Sequence, residues 1–148
     1  MNMQVRHEAS GLFVVSLKRG DDLRAKVEEF TERENIFGAS VSAIGAVENP
    51  ELGFYKLEQK DYIRQVFEGS WELVSLLGNI SLKDGKPFLH AHVSISGNDF
   101  NVVGGHFFDA RVAVVVEMFI KRTGTLRRVP CEDIGVHCWD LNVDKFSF

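Results

Sequence analysis

Cysteine is scarce in this chain, with two residues in 148, and proline appears three times. A fold stapled by disulfides is therefore excluded, and idle thiols are the ordinary state of such residues inside a cell. Cys131 and Cys138 are separated by six residues, which matches neither a CxxC redox pair nor the usual structural zinc spacings. His137 beside Cys138 leaves a metal clip as the alternative. Repeats, low-complexity tracts and Pro- or Ser-rich linkers are all missing, so a single domain spanning 1–148 is expected. No apolar run approaches the roughly 20 residues needed to cross a bilayer. The first residues, Met1 to Glu8, contain no apolar signal core, which makes a cytoplasmic protein without membrane contact the expectation. Positive charge is also short: 17 Lys and Arg against 21 Asp and Glu leave a net charge of −4. A surface built to neutralise nucleic-acid phosphates needs clustered cations, and this balance argues against one. Small basic groups at Lys18-Arg19, Lys121-Arg122 and Arg127-Arg128 read first as solvated strand ends.

Hydrophobic residues make up 45% of the chain and charged residues 26%, and twelve phenylalanines favour a β-rich core. Phe13 to Leu17 reads as a strand, and Gly20-Asp21-Asp22 then turns and caps a helix from about Leu23 to Glu34. Leu23, Val27 and Phe30 fall at i, i+4 and i+7, a single apolar stripe that suits packing on a sheet face. Beyond Gly38 the pattern is β. Strands are expected over Ala39–Val47, Glu51–Leu57, Tyr62–Phe67, Trp71–Ile80, Phe88–Ser96, Asn101–Phe108 and Val112–Ile120. Val112–Ile120 is apolar enough for a central strand buried on both faces. Asp84-Gly85 supplies the positive φ of a two-residue hairpin turn. One helix among about eight strands gives an α+β domain with a large, mainly antiparallel sheet.

Three of the five histidines lie within seventeen residues: His90-Ala91-His92 and Gly104-Gly105-His106. In Leu89 to Ser96 the alternation is strict. Leu89, Ala91, Val93 and Ile95 face the core, while His90, His92, Ser94 and Ser96 share the opposite face. Two histidines at i and i+2 stand about 7 Å apart at their Cα atoms, close enough to tilt onto one ion at about 2.0–2.1 Å. A turn centred near Asp99 folds the next strand back so that His106 lies opposite His92, with Cβ atoms roughly 5 Å apart. A slip of one residue would send His106 to the other face. Gly104-Gly105 leaves room for a bulge or for close approach of another backbone. Three neutral imidazoles with an open position suit zinc, and also iron, nickel or copper. The alternative is that the histidines merely cover a solvated or interfacial sheet face.

Glu72 and Glu117 each interrupt an apolar strand. A carboxylate there is costly unless paired or coordinated, so each is a candidate fourth ligand, ligand-orienting partner or general base. The alternative for both is an exposed position on an edge.

The chain resembles the plant-and-prokaryote-conserved (PPC) domain family. The matching pieces are Leu17 with Arg19-Gly20-Asp21-Asp22-Leu23, then Ala43-Ile44-Gly45-Ala46-Val47 and Leu52-Gly53-Phe54-Tyr55. They continue through Gly69 to Leu76, Gly78-Asn79-Ile80-Ser81 and Asp84-Gly85-Lys86-Pro87, and end with His90-Ala91-His92, Gly104-Gly105-His106 and Glu117. The resemblance runs in order from about Leu12 to Ile120. It implies a sheet flanked by a helix, assembly as a homotrimer, and a metal-binding cluster near the subunit contacts on His90, His92 and His106. Plant members read Gly-Arg-Phe-Glu-Ile-Leu where this chain has Gly69-Ser70-Trp71-Glu72-Leu73-Val74, so the arginine is absent. The Arg-Gly-Arg-Pro hook that serves the plant relatives as a minor-groove arm is absent as well.

Three functions compete on these grounds. One is a homotrimeric assembly or regulatory module with a divalent metal, zinc first, tied to DNA or to a protein partner. Another is a zinc-dependent hydrolase in which Glu72 or Glu117 handles the proton. The last is a DNA-binding protein that uses basic strand ends on a trimer.

Overall fold

The computed structural model describes residues 3–141. Asp22 caps the one α-helix among the described residues, α1 (Leu23–Arg33), by accepting at Oδ1 from the Ala25 amide at 2.8 Å. Its Leu23, Val27 and Phe30 are buried, as the stripe requires, and Thr31 joins them by donating to the Val27 carbonyl at 3.0 Å. The chain leaves the helix through Asn35, which adopts a left-handed φ of 52°.

Nine strands form one sheet around this helix. They are β1 (Gln4–Glu8), β2 (Leu12–Lys18), β3 (Gly38–Lys56), β4 (Asp61–Val66), β5 (Ser70–Lys83), β6 (Lys86–Ser96), β7 (Val102–Arg122), β8 (Arg127–Cys131) and β9 (Val136–Asp140). All ladders are antiparallel except the bridge between Leu82 of β5 and Arg127 of β8. β3 pairs with β5, β5 with β6, β6 with β7 and β7 with β3, so four strands close a hydrogen-bonded circuit. Closure leaves these four strands without an open edge between them, while β1, β4 and β9 stay at the margins of the sheet.

Two pairs of expected strands are each one long strand. Ala39–Val47 and Glu51–Leu57 merge in β3, and Asn101–Phe108 and Val112–Ile120 merge in β7. The β3–β7 register shifts at Gly45, between Glu48 and Glu51, and again before Leu52, which lets both strands bend without breaking. A Cβ on Gly45 would stand 2.2 Å from the Val115 carbonyl oxygen, so the bend depends on glycine there. Val112–Ile120 is central but is not buried on both faces. Val112, Val116, Met118 and Ile120 face the core, while Val114 and Phe119 are exposed. The Asp84-Gly85 turn forms as expected, with φ of 53° and 79°. The terminal strands β1, β8 and β9 have too little alternation to show in the sequence.

The core lies between α1 and one face of the sheet. Leu89, Ala91, Val93 and Ile95 of β6 are all at most 4% exposed and belong to it. The opposite face carries the polar half of β6. Phe30 meets Phe13 edge-on at 5.5 Å between ring centroids and is 1% exposed. Phe30→Ala is expected to cost about 3–5 kcal/mol, read as a lower denaturant midpoint at unchanged slope.

Candidate metal centre

Pairing between β6 and β7 puts His92 directly opposite His106, and the register continues without a shift from Val93↔Gly105 to Ser96↔Val102. Nearest-neighbour pairs share a face, so His106 joins the two histidines of β6. The three rings are 5.2–5.6 Å apart between centroids. Each offers a ligand nitrogen, and these atoms all lie within 4.8 Å of one another. Nitrogens around one tetrahedral ion would stand about 3.3–3.4 Å apart at normal bond lengths. The rings therefore have to close by up to about 1.5 Å, which side-chain rotation supplies. His90 and His106 are half-buried and His92 is exposed.

The glycines of this region serve close approach. A Cβ on Gly105 would lie 2.8 Å from the Gly53 carbonyl oxygen, and one on Gly104 2.6 Å from that of Val93. The β6–β7 ladder itself has no bulge here. Gly53 stands beside His106 on β3, and its missing side chain leaves the space filled by Phe108 and Tyr62. The Tyr62 ring in turn packs on His106 at 4.8 Å.

Electrostatics keep two of the imidazoles neutral. Burial, reinforced by the charge of Arg128, lowers His90 to about 4. Burial, reinforced by His90 and His92, lowers His106 to about 4. Neutral rings are the form that ligates. The donor set thus fits a divalent ion with nitrogen affinity. One contact bears on how it would be held. Arg128 Nη2 donates to His90 Nδ1 at 3.1 Å. A guanidinium only donates, so in this arrangement the ring proton sits on Nε2. His90 would hold an ion through a ring nitrogen not occupied by that proton, and Arg128 would then give up its bond to the ring.

Arg128 reaches the site from the β8–β9 hairpin. It also donates to Ser81 Oγ at 2.7 Å, the His137 carbonyl at 3.0 Å and Asn79 Oδ1 at 3.0 Å. The hairpin is further tied down where Tyr55 Oη donates to the Ile134 carbonyl at 2.5 Å. Under it a cavity of about 580 Å³ opens onto His90 and His106. Arg128 was visible in the sequence only as half of a basic pair, and Tyr62 and Arg64 only as strand residues. Nothing in their spacing points to His90.

Glu72 and Glu117 are exposed, and neither belongs to the ligand group or lines the cavity. Cys131 and Cys138 are free and partly buried. Burial and a hydrogen bond donated to Cys131 raise the Cys138 thiol. Among the described residues the three histidines are the one group of at least three potential ligands. No helix among them is long and apolar enough to cross a membrane.

A helix-backed antiparallel sheet with three histidines gathered on its outer face defines the class: a small α+β domain with a potential metal-holding surface. The profile of the Plants and Prokaryotes Conserved (PCC) domain, the family named above as PPC, matches residues 6–123. The chain belongs to that family. A PPC protein from Pyrococcus horikoshii is 32% identical, with a TM-score of 0.82 over 93% of this chain and 94% of its own. A protein from Archaeoglobus fulgidus described as metal-containing is 37% identical, with a TM-score of 0.82 over 92% of this chain and 97% of its own. A Bacteroides thetaiotaomicron protein named as a candidate DNA-binding protein has a TM-score of 0.89 at 22% identity, covering 95% of this chain and 98% of its own. At that identity the likeness is one of fold. No curated protein matches the chain.

Gly78 is paired with Ala91, and a Cβ there would stand 2.3 Å from the His90 carbonyl oxygen. Gly78→Ala therefore forces β5 and β6 apart beside His90. A loss of about 1–3 kcal/mol in stability is expected, measured by thermal unfolding against the parent chain.

Proposed function

We propose that this protein is a homotrimeric PPC-domain module that holds a divalent metal, zinc first, on His90, His92 and His106. The observation that carries the reading is the convergence of three imidazole nitrogens within 4.8 Å on one sheet face. The metal-containing relative from A. fulgidus, at 37% identity, supports the same reading. An ion bound there would supply a Lewis acid and a fixed positive charge. The chain's own part is to hold the rings neutral, to orient them through β-sheet register, and to keep the ion beside a subunit contact.

Assembly finds support in the same face. His106, His92, Leu77, Ser42 and Phe119 form one cross-strand row over β7, β6, β5, β3 and again β7. Leu77 is 66% exposed and Phe119 52%, and Ile44 adds a third apolar side chain at 57%. Apolar side chains gathered on one exposed sheet face mark a protein interface. A role in DNA binding gains the names of two structural relatives, at 22% and 25% identity, against a net charge of −4.

Metal analysis of gently purified protein is expected to give about one divalent ion per chain, with His106→Ala and His92→Ala reducing it at least tenfold while the far-UV spectrum stays unchanged. Light scattering on the same samples is expected to give three times the chain mass. Equal metal in all three proteins would overturn the site, and a monomeric parent would overturn the assembly.

A second reading has one observation in its favour, the cavity of about 580 Å³ beside His90 and His106. In that reading the protein is a metal-dependent hydrolase of unknown substrate. Tyr62 and Arg128 border the cavity where Glu72 and Glu117 do not, so they are the groups placed to bind and orient a substrate. Screening esters, amides and phosphoesters with and without chelator decides it: chelator-sensitive turnover is expected of an enzyme, and its absence leaves the module.

A further inference from the structure

We propose that the cavity beside the histidines is a binding site for a small organic anion, one carrying a carboxylate or phosphate group. The inference goes beyond the metal reading and rests on the charges around the cavity rather than on an ion. Arg24, Arg64, Lys83 and Arg128 line it, against two carboxylates, Glu28 and Glu51, in a chain that is acidic as a whole.

How these charges are paired decides the matter. Glu28 is paired within the protein: its Oε1 accepts from Arg24 Nη1 at 2.9 Å and from the Leu89 amide at 3.0 Å. Arg24 is equally committed, donating as well to the carbonyls of Leu89, Phe107 and Phe108. That pair is structural. Glu51 reaches Arg64 only at 3.6 Å, and the Arg64 guanidinium lies 3.6 Å over the Phe108 ring. Lys83 has no ion pair among the described residues, and its Nζ stands 4.7 Å from the centroid of Phe88.

Arg128 is the clearest case. All four acceptors it meets are neutral: Ser81 Oγ, Asn79 Oδ1, the His137 carbonyl and His90 Nδ1. Two stacked aromatic surfaces, Phe88 at 5.8 Å and Trp139 at 5.7 Å, further limit its access to water. Desolvated charge without an opposite partner is unfavourable, and an anion entering the cavity relieves it. Guanidinium and ammonium donors match the oxygens of carboxylate and phosphate.

Size and lining select a small molecule. A volume of about 580 Å³ falls in the range of small-molecule sites, roughly 300–1,000 Å³. Phe88, Phe108 and Tyr62 give it apolar walls for a carbon skeleton. Tyr62 in the same lining adds a hydroxyl as a neutral donor.

Calorimetric titration with succinate and with inorganic phosphate, at matched ionic strength and on both metal-loaded and dialysed metal-free protein, tests the proposal. The variants are Lys83→Met and Arg64→Leu, which keep the aliphatic packing on Phe88 and Phe108 and leave the histidines untouched. Saturable binding of at least one anion is expected, weakened about tenfold or more by each substitution. Succinate alone would identify a carboxylate ligand, phosphate alone a phosphorylated one; either supports the site. Binding retained in metal-free protein supports it even if the metal reading fails. No saturable binding of either anion would overturn it. So would affinity indifferent to both substitutions and lost on chelation, since the ion alone would then hold the anion. Displacement of the bound anion by duplex DNA at equal phosphate concentration would assign the cations to nucleic acid and overturn the small-molecule site.

Discussion

The antiparallel pairing of β6 with β7, with His92 opposite His106, is the constraint on which the molecule depends. It does two things at once because a strand alternates. The same register that buries Leu89, Ala91, Val93 and Ile95 under α1 turns His90 and His92 outward to meet His106. A slip of one residue would expose an apolar strand and disperse the histidines together. The core therefore protects the site, since any rearrangement that dissolved the cluster would first have to unpack the buried face of β6.

The closed circuit of β3, β5, β6 and β7 makes that register rigid. β7 and β3 are long enough to pair with three strands each because register shifts let them bend. Glycines sit where backbones come closest: Gly45 against Val115, Gly78 against His90, Gly105 against Gly53. Side chains at those points would hold the strands apart. The space left by Gly53 is taken by the rings of Phe108 and Tyr62, which carry the packing on to His106. Backbone proximity and the placing of the imidazoles are thus one arrangement.

Charge is distributed unevenly over this frame. The chain is acidic, yet one cavity collects Arg24, Arg64, Lys83 and Arg128. Arg24 is neutralised by Glu28 and main-chain carbonyls and ties the helix to the sheet. Arg128, held by neutral acceptors, leaves its charge directed at the histidines. A cation beside a prospective cation site weakens metal binding and favours an anion, so the cavity and the histidine cluster are electrostatically linked.

Local pattern alone determined the capped helix from Leu23, the Asp84-Gly85 turn, the inward and outward halves of β6, and the histidine triplet with its register. Each depends on neighbours a few residues away: a side chain reaching a nearby amide, a positive φ, a period of two. The ordered motifs from Leu17 to Glu117 carried the family. Tertiary structure decided the rest. It joined pairs of expected strands into β3 and β7, since a bulge that bends a strand and a turn that ends one look alike in a line of letters. It exposed one face of Val112–Ile120, because burial on a second side needs a layer that this fold does not place there. It set Glu72 and Glu117 apart from the cavity and brought Arg128 to His90 across 38 residues. That contact follows from the docking of the C-terminal hairpin, and no spacing along the chain encodes where a hairpin will dock.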